Sequence, residues 1–208
     1  DLLARVSEVY RSLERERSVL SFPDRETCGR ACAFDMRVSV ENAVRERGVA
    51  NVVLAGGSTP KLMFEALMAP DMAGVDWSKV RFFFGDERPV GPEHKRSNYA
   101  LAKQNLFLPL NIPKENIFRI QGEAEDLTDE AERYEKMLRE QLGDEGTLDW
   151  VMLGMGSDGH TASLFPSTPV LTENERLVAT GTAPDGETRV SMTFALLNSA
   201  RRVAFLVA

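Results

Sequence analysis

Short apolar runs alternate with helical patterns along this chain, and the alternation narrows the folds that it can adopt. Four runs have the length and composition of strands buried in a parallel sheet, at 52–54, 80–84, 150–153 and 203–207. Apolar residues recur at helical spacing before the first of these runs, at about 24–47, and between later ones, at about 97–107 and 127–142. We therefore predict an α/β fold in which a mostly parallel sheet lies between helical layers.

Composition limits the class of partner. The 208 residues, of which 43% are hydrophobic, are enough for one domain with its own core, and the net charge of −7 argues against a nucleic-acid or anionic-membrane surface. No stretch reaches the roughly 20 apolar residues of a membrane span, and the amino terminus lacks a secretion signal, so we expect a cytoplasmic protein. Cys28 and Cys32 are spaced as a reduced apolar pair on a helix rather than as a disulfide or a metal site. A small molecule is the predicted ligand.

The run GMGSDGHTASLFP at 154–166 directly follows the strand predicted at 150–153 and contains His160, one of two histidines. Its glycines let a ligand approach the backbone closely, and the carboxyl end of a strand in an open α/β sheet faces the ligand crevice. A histidine there can accept a proton from water near neutral pH. We predict that His160 is a general base; the alternative is that it only caps a helix or hydrogen bonds within its loop.

The run AGGSTP at 55–60 lies between a predicted strand and a predicted helix. Its backbone amides and the hydroxyls of Ser58 and Thr59 suit a phosphate at a helix amino terminus. The alternative is an ordinary strand-to-helix turn. In both cases we predict that Thr59 caps the helix and that Pro60 occupies its first turn. The Gly-Lys-Ser/Thr ending of an ATP-binding loop is absent.

The run FGDERPV at 84–90 brings two carboxylates and a guanidinium to the same edge of the sheet. Asp86 and Glu87 can take a proton or orient sugar hydroxyls, and Arg88 can stabilise an oxyanion or hold a phosphate. For Glu87 a surface ion pair is the stronger interpretation. We expect His94, between two charged residues, to be exposed to solvent.

The run at 154–166 also permits two other interpretations. It matches Gly-x-Gly-x-x-Gly, but Pro166 interrupts the sustained helix that a dinucleotide site needs. The residue types in this run would also allow a catalytic triad of Ser157 or Ser163 with His160 and Asp158. Because neither serine lies in a Gly-x-Ser-x-Gly elbow, we favour water over a serine as the nucleophile.

At these residues the chain resembles the 6-phosphogluconolactonases. The resemblance spans roughly residue 24 to the end, and its motifs are GGSTP at 56–60, GDER at 85–88 with SNY at 97–99, the run at 154–166 and, more weakly, RVSMT at 189–193. It implies an α/β/α sandwich of the kind shared with glucosamine-6-phosphate deaminases and sugar-phosphate isomerases. The tail TASLFP at 161–166 is similar to that of the lactonases rather than the deaminases.

The resemblance implies hydrolysis of 6-phospho-D-glucono-1,5-lactone to 6-phosphogluconate, in the oxidative pentose phosphate pathway, with His160 as the base that activates water. We predict Asp86 and Arg88 as further catalytic residues. We expect no cofactor and no metal, because an ester-like carbonyl needs only a base and oxyanion stabilisation. The residues expected to contact the substrate are Gly56, Gly57, Ser58, Thr59, Asn98, Gly156, Asp158, Gly159 and Arg189.

Three expectations concern the chain as a whole. Residues 1–208 are predicted to be a single lactonase domain that is truncated at both ends, and the family continues past the last strand to a Gly and a Lys suited to phosphate. A fusion to, or an association with, another pentose phosphate enzyme stays open.

Two rival functions stay open as well. One is a deaminase or isomerase of the same fold, with Asp86 as its base, and the other is a non-catalytic sugar-phosphate sensor.

Overall fold

A computed structural model describes residues 19–143 and 147–207, apart from the side chain of Ser58. Its helices, in chain order, are α1 (Arg25–Arg47), α2 (Ser58–Leu67), α3 (Asn98–Ala102), α4 (Leu127–Leu142) and α5 (Phe194–Asn198). Its strands are β1 (Ala50–Leu54), β2 (Val80–Phe84), β3 (Asp86–Glu87), β4 (Trp150–Leu153), β5 (Val178–Thr182), β6 (Thr188–Met192) and β7 (Val203–Phe205).

The central sheet is parallel, with the strand order β2-β1-β4-β7. All residues of β1 and β4 are buried, because helices cover this sheet. All four runs predicted as strands belong to it, although the last strand ends at Phe205 rather than at residue 207. The predicted α/β architecture is confirmed.

A second sheet was not predicted from the sequence. Strands β3, β6 and β5 form an antiparallel sheet, in which Asp86 pairs with Ser191 and Glu87 with Val190. The runs that form β5 and β6 carry polar side chains and are only partly buried, so they have no continuous apolar pattern. The two sheets meet at Gly85, whose N–H donates to Leu54 and whose carbonyl accepts from Met192.

Helix α1 confirms the first helical pattern. Asp24 caps it by accepting a hydrogen bond from the N–H of Thr27 at 2.7 Å, and Gly48 ends it in the left-handed region at φ 78°. Cys28 and Cys32 are free thiols on this helix, as predicted, and burial raises the pKa of Cys32 well above its usual range. The pattern at 97–107 is confirmed with a change, because α3 gives way to a π-helical turn at Lys103–Phe107.

The start of α2 corrects the prediction that Thr59 caps this helix. The cap position is Gly57, at φ 101°, and it makes no side-chain hydrogen bond to the helix. Because the glycine turns the chain into the helix two residues earlier than expected, Thr59 and Pro60 both lie in the first turn. Only the position of Pro60 matches the prediction.

Helix α4 fixes the end of β2, where a loop of the candidate site begins. Its buried residue Tyr134 carries a hydroxyl that accepts from the N–H of Phe84 at 2.9 Å and lies 3.2 Å from the carbonyl of Phe118. Burial raises the pKa of this phenol.

Among the described residues, no helix has both the length and the apolar character that crossing a membrane requires.

Candidate active site

The loops that follow β1, β2 and β4 surround one pocket. Because these strands are parallel neighbours, their carboxyl ends open on the same edge of the sheet. Two residues that follow β7 and one residue of β6 complete the wall. The lining residues are Ala55, Gly56, Gly57, Thr59, Pro60, Asp86, Arg88, Gly154, Met155, Gly156, His160, Thr161, Ala162, Arg189, Leu206 and Val207.

The loop after β4 is held in shape by its own hydrogen bonds. The N–H of Gly156 donates to the carbonyl of His160 at 2.8 Å, and the N–H of Gly159 donates to the carbonyl of Gly156 at 3.0 Å. The hydroxyl of Thr161 donates to the carbonyl of Gly154 at 2.8 Å. The loop is therefore a closed turn that presents His160 from a fixed backbone.

The imidazole of His160 faces the pocket and is held on two sides. Its Nδ1 lies 2.5 Å from Oδ1 of Asp158, and its ring centre lies 4.4 Å from that of Phe165. A carboxylate can only accept, so Nδ1 carries the proton and Nε2 keeps its lone pair. The same hydrogen bond lowers the pKa of Asp158. The side chain of His160 is 27% exposed, as a base that meets a substrate must be.

Gly156 leaves room for this imidazole. A Cβ at this position would overlap the Cε1 and Nδ1 atoms of His160 and would lie 2.8 Å from the carboxylate of Asp158. The glycine is therefore required by the close approach of the histidine ring and not by an unusual backbone angle. The sequence predicted Gly156 as a substrate contact, and the structure adds this packing requirement.

Asp86 is a buried carboxylate at the floor of the pocket. Its Oδ2 accepts from the hydroxyl of Ser163 at 2.7 Å, and its Oδ1 accepts from the side-chain amide of Asn98 at 3.0 Å. Ser163 therefore joins the His160 loop to Asp86, and its hydroxyl is not directed at the imidazole. The triad built on Ser163 does not form.

Glu87 corrects a prediction, because it is buried rather than part of a surface ion pair. It is 3% exposed, and its carboxylate accepts from the N–H groups of Arg88, Asn98 and Tyr99 and from the hydroxyl of Ser97. Burial raises its pKa, and the hydrogen bonds act in the opposite direction. Glu87 thus ties the loop after β3 to the start of α3. His94, in the same loop, is exposed as predicted.

Two guanidinium groups reach the pocket from different strands. Nη1 of Arg88 donates to the carbonyl of Arg96 at 3.0 Å and to Oδ1 of Asn98. Arg189, on β6, pairs with Glu187 at 3.1 Å and lies over the ring of Phe165 at 5.4 Å. Two cations at one pocket favour an anionic ligand.

The amino terminus of α2 adds a further group of donors. Among the described side chains none caps it, and no acidic residue lies in its first turn, so its first N–H groups have no partner within the helix. A helix terminus of this kind attracts phosphate through these donors and the helix dipole. Gly56, Gly57 and Thr59 line the pocket here, whereas the side chain of Ser58 lies outside the described part of the structure.

Three predicted contact residues do not line the pocket. Asp158 contacts His160, Gly159 closes the turn, and Asn98 is buried between Asp86 and Arg88. Phe165, which packs on the imidazole, was not singled out from the sequence. No sustained helix follows Gly159, which agrees with rejecting a dinucleotide site.

Within residues 19–143 and 147–207, no group of three or more His, Cys, Asp or Glu side chains could hold a metal ion. The arrangement can therefore provide a general base, the imidazole of His160, and two arginines that stabilise negative charge.

The family model of the glucosamine-6-phosphate isomerases and 6-phosphogluconolactonases matches residues 23–208. The chain belongs to this family. A 6-phosphogluconolactonase from Synechocystis is 40% identical over 173 residues, which cover 81% of this chain and 70% of the relative. One from Haemophilus influenzae is 40% identical over 158 residues, which cover 76% of this chain and 67% of the relative.

Solved structures agree with the family assignment. The 6-phosphogluconolactonase of Trypanosoma brucei superposes with a TM-score of 0.81 at 28% identity, covering 92% of this chain and 82% of that one. The Thermotoga maritima 6-phosphogluconolactonase gives a TM-score of 0.73 at 30% identity, covering 84% of this chain and 77% of that one. The family resemblance read from the sequence motifs is therefore confirmed.

Proposed function

We propose that this protein hydrolyses 6-phospho-D-glucono-1,5-lactone to 6-phosphogluconate. The observation that carries the proposal is the imidazole of His160, which has Nδ1 held by Asp158 and Nε2 open to a pocket with two guanidinium groups. The relatives that match most of the chain are named for this activity. Residues 1–208 act as one lactonase domain in this proposal.

The phosphate binds at the amino terminus of α2 and to a guanidinium of the pocket, for which Arg189 is the candidate. Helix amides and arginine both suit a dianionic ligand. This leaves the C1 carbonyl of the lactone beside His160 and Arg88. The apolar residues Met155, Leu206 and Val207 form the rest of the wall.

Chemistry begins when Nε2 of His160 takes a proton from a water molecule that attacks C1. The carbonyl oxygen becomes an oxyanion, and Arg88 or the backbone amides of the loop at 55–60 stabilise it. When the C1–O5 bond breaks, the imidazolium returns its proton to the ring oxygen. One water is consumed, and the products are a carboxyl group at C1 and a hydroxyl at C5.

The environment of Asp86 favours lactone hydrolysis over deamination or isomerisation. Those reactions would use Asp86 as the base, but both of its oxygens already accept hydrogen bonds, from Ser163 and Asn98. In the lactonase its remaining lone pairs orient a sugar hydroxyl, a task that needs no proton transfer to the carboxylate. A location in the cytoplasm and a link to another pentose phosphate enzyme remain predictions from the sequence.

The decisive assay follows lactone opening against its spontaneous rate, with glucosamine 6-phosphate as the control substrate. We expect faster opening of the lactone, no release of ammonia and no acceleration by His160→Ala. Ammonia release would support the deaminase instead. Binding of 6-phosphogluconate without any acceleration would support a sensor.

A further inference from the structure

We propose that Asn98 is a positioning residue, which holds the guanidinium of Arg88 toward the pocket and keeps it apart from Asp86. The inference rests on the proposed function for its activity readout. It assigns Asn98 a task other than contact with the substrate.

The amide of Asn98 has one orientation only. Its Nδ2 donates to the main-chain carbonyl of Asp86 at 2.8 Å and to the carboxylate of the same residue at 3.0 Å. Because both acceptors lie on one side, Oδ1 must point the other way, where it accepts from Nη1 of Arg88. Asn98 is 1% exposed, so these bonds do not compete with water.

Within residues 19–143 and 147–207, only one end of the Arg88 guanidinium is held by the protein. Nη1 donates to the carbonyl of Arg96 at 3.0 Å as well as to Asn98. In the described part of the chain, Nε and Nη2 have no hydrogen-bond partner and Arg88 forms no ion pair. Since Arg88 lines the pocket, these free donors are the ones available to an oxyanion or a phosphate.

A ligand cannot reach the amide of Asn98 directly. The backbone of Gly56 covers it, and a Cβ at that position would overlap Oδ1 and Cγ of Asn98 and would lie 2.8 Å from Nη1 of Arg88. The amide is thus enclosed by the loop after β1, by β3 and by the start of α3. This enclosure argues against a direct contact with the substrate.

The amide also separates two opposite charges. Asp86 and Arg88 both line the pocket, yet no ion pair joins them in the described residues. Asn98 donates to the first and accepts from the second, so each keeps a neutral partner. Without it, the arginine can turn to the carboxylate, and its charge would then be partly neutralised before a ligand arrives.

Helix α3 does not depend on the side chain of Asn98. Its cap is Ser97, whose hydroxyl accepts from the N–H of Ala100 at 3.1 Å, and Glu87 accepts from the N–H groups of Asn98 and Tyr99. A change in the Asn98 amide therefore reports on Arg88 rather than on the helix.

The test is a double-mutant cycle of Asn98→Ala and Arg88→Ala, with kcat/KM for the lactone and Kd for 6-phosphogluconate as readouts. Because the bond from the arginine is charge-assisted, we expect Asn98→Ala to lower kcat/KM about 10- to 100-fold in the wild-type background. In the Arg88→Ala background we expect less than about a twofold effect on either readout. Asn105→Ala is the matched control, because among the described residues its amide donates only to the carbonyl of Leu101, four positions earlier.

A second readout does not depend on activity. The Nε–Hε resonance of Arg88, assigned by its loss in Arg88→Lys, should shift or broaden in Asn98→Ala and stay unchanged in Asn105→Ala. If Asn98→Ala unfolds, Asn98→Leu, which is similar in size and lacks the acceptor for Arg88, takes its place. An equal loss in both arginine backgrounds, or an unchanged Arg88 resonance, overturns the proposal. A wild type that does not accelerate lactone opening contradicts the proposed function, while the resonance still tests the position of Arg88.

Discussion

Asp158 fixes the tautomer of His160. One carboxylate oxygen, Oδ1, lies 2.5 Å from Nδ1 of the imidazole and 3.2 Å from the backbone nitrogen of the same residue. Since a carboxylate offers no proton, the imidazole proton is on Nδ1 and the lone pair is on Nε2. The residue two positions before the base thus decides which ring nitrogen can do chemistry.

Asp158→Asn is expected to remove most of the activity while the fold stays intact. The amide oxygen of asparagine can take the place of Oδ1, but it carries no charge to stabilise the imidazolium that forms when Nε2 takes a proton. General-base assistance is worth about 100-fold or more, and we expect kcat to fall by that order with little change in KM. The measurement is lactone turnover with the thermal midpoint recorded in parallel. Asp129→Asn, at an exposed position of α4 outside the pocket, is the control. An unchanged kcat in Asp158→Asn would remove Asp158 from the mechanism.

Gly156→Ala tests the close approach of the imidazole. The new methyl group would overlap the ring of His160, so either the ring or the loop must move. A misplacement of about 1 Å costs roughly 100-fold in rate, and we expect a loss of kcat of that size. Gly91→Ala, outside the pocket, is the control, because a Cβ there meets nothing within 4 Å. Equal rates for the two variants would contradict the packing argument.

Gly56→Ala tests the packing on the other side of the pocket. A methyl group there would collide with the amide of Asn98 and crowd Nη1 of Arg88, so the guanidinium must shift. We expect a loss of about 10-fold or more in kcat/KM and in affinity for 6-phosphogluconate. Gly91→Ala, where a Cβ meets nothing within 4 Å, is the control and should stay within about twofold of wild type. Binding by calorimetry decides the result, and unchanged affinity in Gly56→Ala would count against it.

The sequence predicted the part of the fold that depends on local pattern. Buried parallel strands such as β1 and β4 are short and continuously apolar, so they stand out against their surroundings. Because parallel strands end at one edge, the prediction that their loops meet at a single pocket follows from the same pattern. His160, Asp86 and Arg88 all line that pocket.

Contacts between distant residues could not be predicted in this way. The hydroxyl of Ser163 donates to Asp86, which lies 77 positions away in the sequence, and no local spacing predicts this hydrogen bond. Glu87 was expected at the surface because charged residues usually lie there, but four donors from residues 88–99 satisfy its buried carboxylate. Strand β6, which pairs with β3, has too few apolar residues to be recognised alone.

Glu87 links the stability of the protein to pH. Burial raises its pKa above the ordinary 4.5, so the folded state binds the proton more tightly than the unfolded chain. The resulting contribution to the free energy of unfolding is complete below 4.5 and is lost as the pH rises through the folded value. Stability from this residue therefore increases toward acid pH, opposite to the usual behaviour of a carboxylate in an ion pair.

Glu87→Gln removes this titration and leaves some buried N–H donors facing an amide NH₂. We expect it to lower the free energy of unfolding by about 1–3 kcal/mol, since unsatisfied buried groups cost that much. The deficit relative to wild type should grow as the pH falls from neutral toward 4.5, because only the wild type gains from protonation. Urea unfolding across this range measures it, and Glu140→Gln, at an exposed position of α4, should give a difference that does not vary with pH. A deficit that shrinks toward acid would mean that the hydrogen bonds to the carboxylate outweigh its burial.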